Sequence, residues 1–258
     1  MAFLFVVTLC AGLFVLMLVC SEVGRRIGLA RAARLGDGLS KVGGTAEAAM
    51  FALFGLLIAF TFSGAASRFE DRRHLIATEA NAIGTAYLRL DLLPSDAQPQ
   101  LRDLFLRYLD ARFSVYRQIA DEADTESLLA ESAQLQSTIW KLSVTSAQRP
   151  EAAPQAPQLL LPALNEMIDI TATREMATQN HPPPIVFLLL GGLSLICALL
   201  VGYDTLKNTE RSWLHTICFA AIVSLTVYVI VDLEFPRLGL IRVDAADQAL
   251  LDLRESMK

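Results

Sequence analysis

Four stretches of this chain, Ala2–Cys20, Ala48–Ala66, Ile185–Tyr203 and Trp213–Val231, contain no Asp, Glu, Lys or Arg. Each is about as long as a helix needs to be to cross a ~30 Å hydrocarbon core. That feature constrains the fold more than any other. Lipid offers no partner for a backbone N–H or C=O, so a spanning segment satisfies its own as helix unless it joins a closed barrel. No alternating strand pattern competes anywhere, and the expectation is an all-α membrane protein with four transmembrane helices. The 258 residues are 53% hydrophobic and 19% charged, which excludes a disordered chain and disfavours a soluble enzyme. With 22 Lys+Arg against 27 Asp+Glu the net charge is −5, so no cationic field is available for nucleic acid.

The first stretch has no Lys or Arg before it and no small-x-small cleavage site after it, and reads as a retained anchor rather than a signal peptide. Before the third, Pro182-Pro183-Pro184 cannot continue a helix but suits the start of a new one. Between the second and third spans lies a polar segment with helical periodicity, expected to be an extramembrane helical domain. Leu75, Ile76, Ile83, Tyr87 and Leu90 continue the phase of the second span without a break, which predicts one long projecting helix. Pro94-Ser95-Asp96 ends it. Leu101, Phe105 and Tyr108 mark a next helix, Leu128, Leu135, Ile139 and Leu142 a third, and Leu160, Leu164, Ile168 and Thr171 a fourth beyond a proline-rich loop from Arg149 to Pro157. The expected organisation is spans one and two with a basic connecting loop over 1–66, the helical domain over 67–181, spans three and four over 182–232, and a tail over 233–258.

Orientation follows Lys and Arg near the membrane. Arg25, Arg26, Arg31, Arg34 and Lys41 fall between spans one and two, and Lys207 and Arg211 between three and four; Arg68, Arg72, Arg73, Arg174, Arg237 and Arg242 lie on the other side. The count is nearly even. The short first loop decides it in favour of a cytoplasmic position, with both termini and the helical domain on the periplasmic side of a bacterial inner membrane.

Chemistry has little to rest on. The histidines His74, His181 and His215 are far apart, and Cys10, Cys20, Cys197 and Cys218 show neither metal-ligand spacing nor a disulfide framework. No catalytic motif is present, so neither an enzyme nor a cofactor is expected. Glu79 and Asp91 read as solvated helix-face carboxylates, and Gly191-Gly192 as a place where helices pack closely. No charged residue interrupts the spans, which argues against an ion-coupled transporter.

The second span says more. Phe54, Ile58 and Phe62 fall at i, i+4 and i+8, and so do Ala52, Leu56 and Phe60 on a neighbouring face. By itself such a stripe reads as a lipid or helix contact. Repeated around an axis, either set forms stacked apolar rings of the kind that gate ions by dewetting. Small residues Ser63 to Ser67 follow, and then charge crowds the membrane edge from Arg68 to Arg73; Arg68, Glu70 and Arg72 are candidates for a vestibule.

The stretch from Phe60 through Arg68-Phe69-Glu70-Asp71-Arg72-Arg73 to Arg89 resembles the bacterial bestrophin-like membrane proteins, a family distantly similar to bestrophin anion channels. So do Pro162 to Pro184 and Asp232-Leu233-Glu234-Phe235-Pro236 to Val243. The resemblance implies a pentamer with four membrane helices per subunit, a long helical insert between the second and third, and an apolar neck on the second. Arg68-Phe69-Glu70-Asp71-Arg72 matches the stretch that follows a bestrophin neck with one residue missing, and Asp232 to Gly239 matches the one after the fourth helix with one extra. The first match puts Ala52, Leu56 and Phe60 at the neck; allowing for the missing residue selects Phe54, Ile58 and Phe62. The first loop is longer and more basic than a bestrophin's, and the expected orientation puts the insert on the opposite side. No run of acids follows Gly239, so a calcium clasp has no support. The expected function is a homo-oligomeric ion channel, anion-conducting by resemblance, with lipid, inorganic ions and its own copies as partners. The alternative is a non-conducting sensor or scaffold whose helical domain binds a partner.

Overall fold

The structure, a computed structural model, describes residues 2–35, 44–117, 122–204, 213–236, 239–241 and 243–257. All regular structure among them is helical. Four helices are long and apolar enough to cross a membrane.

Helix α1 runs Ala2–Leu35 and α2 Gly44–Leu88. The basic residues assigned to the first connecting loop, Arg25, Arg26, Arg31 and Arg34, therefore belong to α1, while Lys41 lies outside the described residues. No proline interrupts the run. Glu22 also accepts from Arg25 Nε and Nη2 (3.0 and 2.9 Å) and from Arg26 Nε (2.9 Å), pairs at i+3 and i+4 that support helix. The single long helix expected from the second span is present: 45 residues, about 68 Å at 1.5 Å per residue. It tightens into a 3₁₀ turn at Arg89–Leu92 and stops at Leu93, whose extended backbone (φ −89°, ψ 160°) is what a following proline imposes.

Then come α3 (Gln98–Arg117), α4 (Glu122–Ala147), α5 (Ala156–Gln179), α6 (Pro184–Asp204), α7 (Trp213–Glu234) and α8 (Asp244–Ser256). Lys207, Arg211, Arg237 and Arg242 lie outside the described residues. The last helix occupies what the sequence left as a tail, and α7 runs on to include Asp232 and Glu234.

The chain forms two compact units, Met1–Phe69 with His181–Arg242, and Glu70–Asn180 with Val243–Lys258. In the first, α1 and α6 pack so closely that a Cβ on Gly24 would overlap the Leu199 carbonyl, and one on Gly202 the Ser21 carbonyl. At the expected close-packing pair, Gly191 and Gly192, an added Cβ would meet nothing within 4 Å; the approach is made about two to three turns further along α6, at Leu199 and Gly202. Met17, Cys197, Ala198 and Ile230 fill the core. In the second unit Ile83, Leu90, Phe105, Tyr108, Ile139 and Leu160 are fully buried. Here α8 is tied down by Tyr87 Oη donating to the Met257 carbonyl (2.9 Å) and by Arg254 Nη2 donating to Asp110 (3.0 Å).

Candidate functional site

Within the first unit α2 presents two unlike faces. Phe54 is 4% exposed in the core, Ile58 packs against that core, and Phe51 meets Phe219 edge-on (centroids 6.2 Å, 81°). Ile58 lies about 160° around the helix from Phe60 at 100° per residue. On that far side Ala52 is exposed, Leu56 is 52% exposed and Phe60 68%. The two candidate stripes are thus not equivalent. Phe54 and Ile58 are taken up by the unit's own packing, Phe62 is open at 43%, and Ala52, Leu56 and Phe60 form a face that no part of their unit covers.

A polar cluster follows that stretch. Arg68 Nε donates to both Glu234 oxygens (3.1 and 3.0 Å) and Nη2 donates to Oε2 (2.8 Å). Glu234 is fully buried, and His181 Nδ1 lies 2.9 Å from its other face at Oε1. The prolines after His181 set the start of α6 and hold the imidazole near the end of α7, where it stacks on Phe235 (4.6 Å, 30°). The two stretches singled out in sequence, at Arg68 and at Asp232–Glu234, therefore meet, though they stand 166 residues apart at the ion pair. Asp232 serves the backbone: it accepts from the N–H groups of Leu240 (3.0 and 3.1 Å) and Ile241 (2.9 Å). A Cβ on Gly239 would overlap that carboxylate, so the return loop requires glycine there.

In the second unit Arg72 is buried. Its Nε donates to the Ala177 carbonyl and its Nη2 to the Asn180 carbonyl (both 3.1 Å), satisfying acceptors that a helix C-terminus leaves open. Glu70 is exposed and pairs with Arg73 (2.9 Å). Glu79 corrects the expectation of a solvated carboxylate: it is fully buried, accepting from Arg112 Nε (2.6 Å) and from Arg174 Nη1, with Arg112 1% and Arg174 4% exposed. Beside it, burial pushes the Tyr108 phenol up to about 12, and its oxygen shares hydrogen bonds with Thr171 (3.1 Å) and the Gln136 amide (3.0 Å). Asp91, by contrast, is exposed and pairs with Arg102. A signal for the buried triad was present in the sequence. Arg112 continues the apolar stripe Leu101, Phe105, Tyr108, and Glu79 sits between Ile76 and Ile83, so each charge interrupts a core face and needs a buried partner.

The sequence of residues 4–247 matches the bestrophin-like domain. The chain belongs to the bestrophin-like family. Solved structures share its fold: a single-substitution variant of a bacterial bestrophin homologue from Klebsiella pneumoniae superposes with a TM-score of 0.74 at 16% identity, over 96% of this chain and 98% of that one. The homologue solved by zinc anomalous phasing gives 0.71 at 16% identity, over 95% and 98%. No curated protein matches the sequence. This bestrophin-like chain is a multi-pass membrane protein by its spans and its family together.

Proposed function

We propose that the chain assembles into a homo-oligomeric ion channel of the bacterial inner membrane, with copies of α2 around a water-filled axis and Ala52, Leu56 and Phe60 as the apolar constriction. One observation carries this reading. Packing against the apolar core of the first unit explains the Phe54 and Ile58 face, which leaves the opposite face of Ala52, Leu56 and Phe60 open to lipid or to other copies, and membership of the bestrophin-like family supports the second occupant. A ring of such side chains excludes bulk water and makes ion passage conditional on widening or wetting. Family membership supports conduction, and its distant likeness to bestrophin anion channels favours anions. Of the three vestibule candidates, Glu70 is open, Arg68 is partly open and held by Glu234, and Arg72 is spent on the end of α5.

Planar-bilayer recording of purified protein tests this. Leu56→Ala and Phe60→Ala are expected to raise the current several-fold. Phe62→Ala is expected to leave conductance unchanged, and Phe54→Ala to cost about 3–5 kcal/mol of stability instead. A silent protein, or currents indifferent to Phe60→Ala, overturns the reading, as does a monomer or dimer by mass in detergent, since neither closes a ring. The short basic stretch between spans one and two, read as cytoplasmic, supports a periplasmic helical domain; protease cleavage in the Arg149–Pro157 turn of intact spheroplasts is the expected result, and protection reverses the assignment.

A further inference from the structure

Helices α1 and α6 approach backbone to backbone at Gly24 and Gly202, but α2 is held to the same unit differently. An added Cβ at Gly55 would meet nothing within 4 Å, and one at Gly64 only the guanidinium of its own Arg68. The ties are side chains: Phe51 edge-on to Phe219 of α7, Phe54, Ile58 and Ala65 in the core, and Arg68 on Glu234. The rotation of a helix seated in this way is set by few groups. Arg68 makes the polar tie, eight residues and about 12 Å beyond Phe60.

Glu234 is the last residue of α7, where the helix dipole disfavours an anion, and it is fully buried. It is kept there by the fork of Arg68, whose Nε and Nη2 both donate to it, and by His181, whose Nδ1 donates to Oε1 because a carboxylate only accepts. His181 stands on Pro182-Pro183-Pro184 at the head of α6, and fixed proline φ angles make that arm stiff. Gly64 lies one turn before Arg68. An added Cβ there would sit 3.2 Å from Nη1 and 3.6 Å from Nη2, so a poor helix former is what lets the guanidinium lie close along α2. Arg68 and His181 reach water at 26% and 32%, so the clasp can part by rehydrating its bases. We propose that this clasp positions the constriction: Glu234, through Arg68, fixes the rotation of α2 that turns Ala52, Leu56 and Phe60 away from the core, and its release lets that face turn and the constriction widen. The proposal rests on the channel reading above, with Glu234 as a positioning residue that ions never touch.

Two measurements on the full-length protein test it. Spin labels at Phe62→Cys on α2 and Leu225→Cys on α7, both exposed positions, report the separation of the two helices in a background without the native cysteines and diluted with unlabelled chains. One narrow distance is expected, broadened and shifted by Glu234→Gln but not by Asp91→Asn. In planar bilayers Glu234→Gln is expected to raise open probability several-fold at unchanged single-channel conductance, whereas Phe60→Ala raises the conductance itself. Arg68→Gln combined with Glu234→Gln should do no more than either alone, because both break one contact. Gly64→Ala keeps every charge and favours helix, so it folds where Glu234→Gln does not, and it is expected to act in the same direction more weakly. An unchanged distance in folded Glu234→Gln, a flat open probability, or additive effects in the double variant overturns the clasp and leaves the channel reading standing. A silent wild type overturns the channel reading instead, and the distance then still decides whether the clasp sets α2.

Discussion

Glu79 and Glu234 are both fully buried and both held by two basic side chains, but they stand in different surroundings. The partners of Glu79 are as dry as the acid itself, Arg112 at 1% and Arg174 at 4%. Those of Glu234 reach water, Arg68 at 26% and His181 at 32%. The first cluster joins α2, α3 and α5, so its charges can be satisfied only if those helices keep their places. In the second, a guanidinium that loses its carboxylate can turn to solvent. Two similar-looking ion pairs thus do different physical work, one fixing the packing of a helical unit and the other closing the end of a membrane unit at modest cost.

The largest consequence should come from Glu79→Gln. It leaves two buried guanidinium groups facing a neutral amide, and a loss of about 3–5 kcal/mol is expected in denaturation followed by helix content. A change under about 1 kcal/mol would mean that the triad is wetter than its burial says.

Tyr108 gives the next largest effect, and it appears as a pH dependence. Its phenol is held protonated up to about 12 in the fold against an ordinary value of 10.0, because burial disfavours the phenolate. The unfolded chain therefore releases the proton first. Stability is complete below pH ~10 and falls as pH rises towards ~12, by about 2–3 kcal/mol at about 1.4 kcal/mol per pH unit. Tyr108→Phe should flatten that slope; an unchanged slope would assign it elsewhere.

Smaller still is Glu234→Gln. Arg68 can rehydrate, so about 1–2 kcal/mol is expected, clearly less than for Glu79→Gln in the same assay. His181→Ala should cost about 1 kcal/mol or less, for one hydrogen bond and one ring contact. If Glu234→Gln proved as damaging as Glu79→Gln, the distinction between a dry lock and a wet clasp would fail.

Much of this was legible from residues alone. Charge-free runs give spans because lipid forbids unpaired backbone, and the phase carried from Phe60 to Tyr87 gave α2 as one helix. Proline marked its end at Leu93. The outer half of α1 was missed because arginines after an apolar run look like a loop, whereas Glu22 at i+3 and i+4 keeps them helical. Glu79 was missed because a carboxylate on a polar segment looks solvated until its partners on other helices are known. The C-terminal helix was missed for the same reason: its amphipathic face has meaning only against α3.

By itself, then, the order of residues determined the four apolar helices long enough to cross lipid, the helices inserted between the second and third of them, and that two faces of α2 were suited to packing. Only the tertiary structure decided which of those faces the chain's own core takes up, and that Arg68 meets Glu234 while Arg72 turns to the end of α5. The reason is that local sequence sets backbone periodicity, since those hydrogen bonds close within four residues. The partner of a side chain is instead chosen by whichever distant helix arrives beside it.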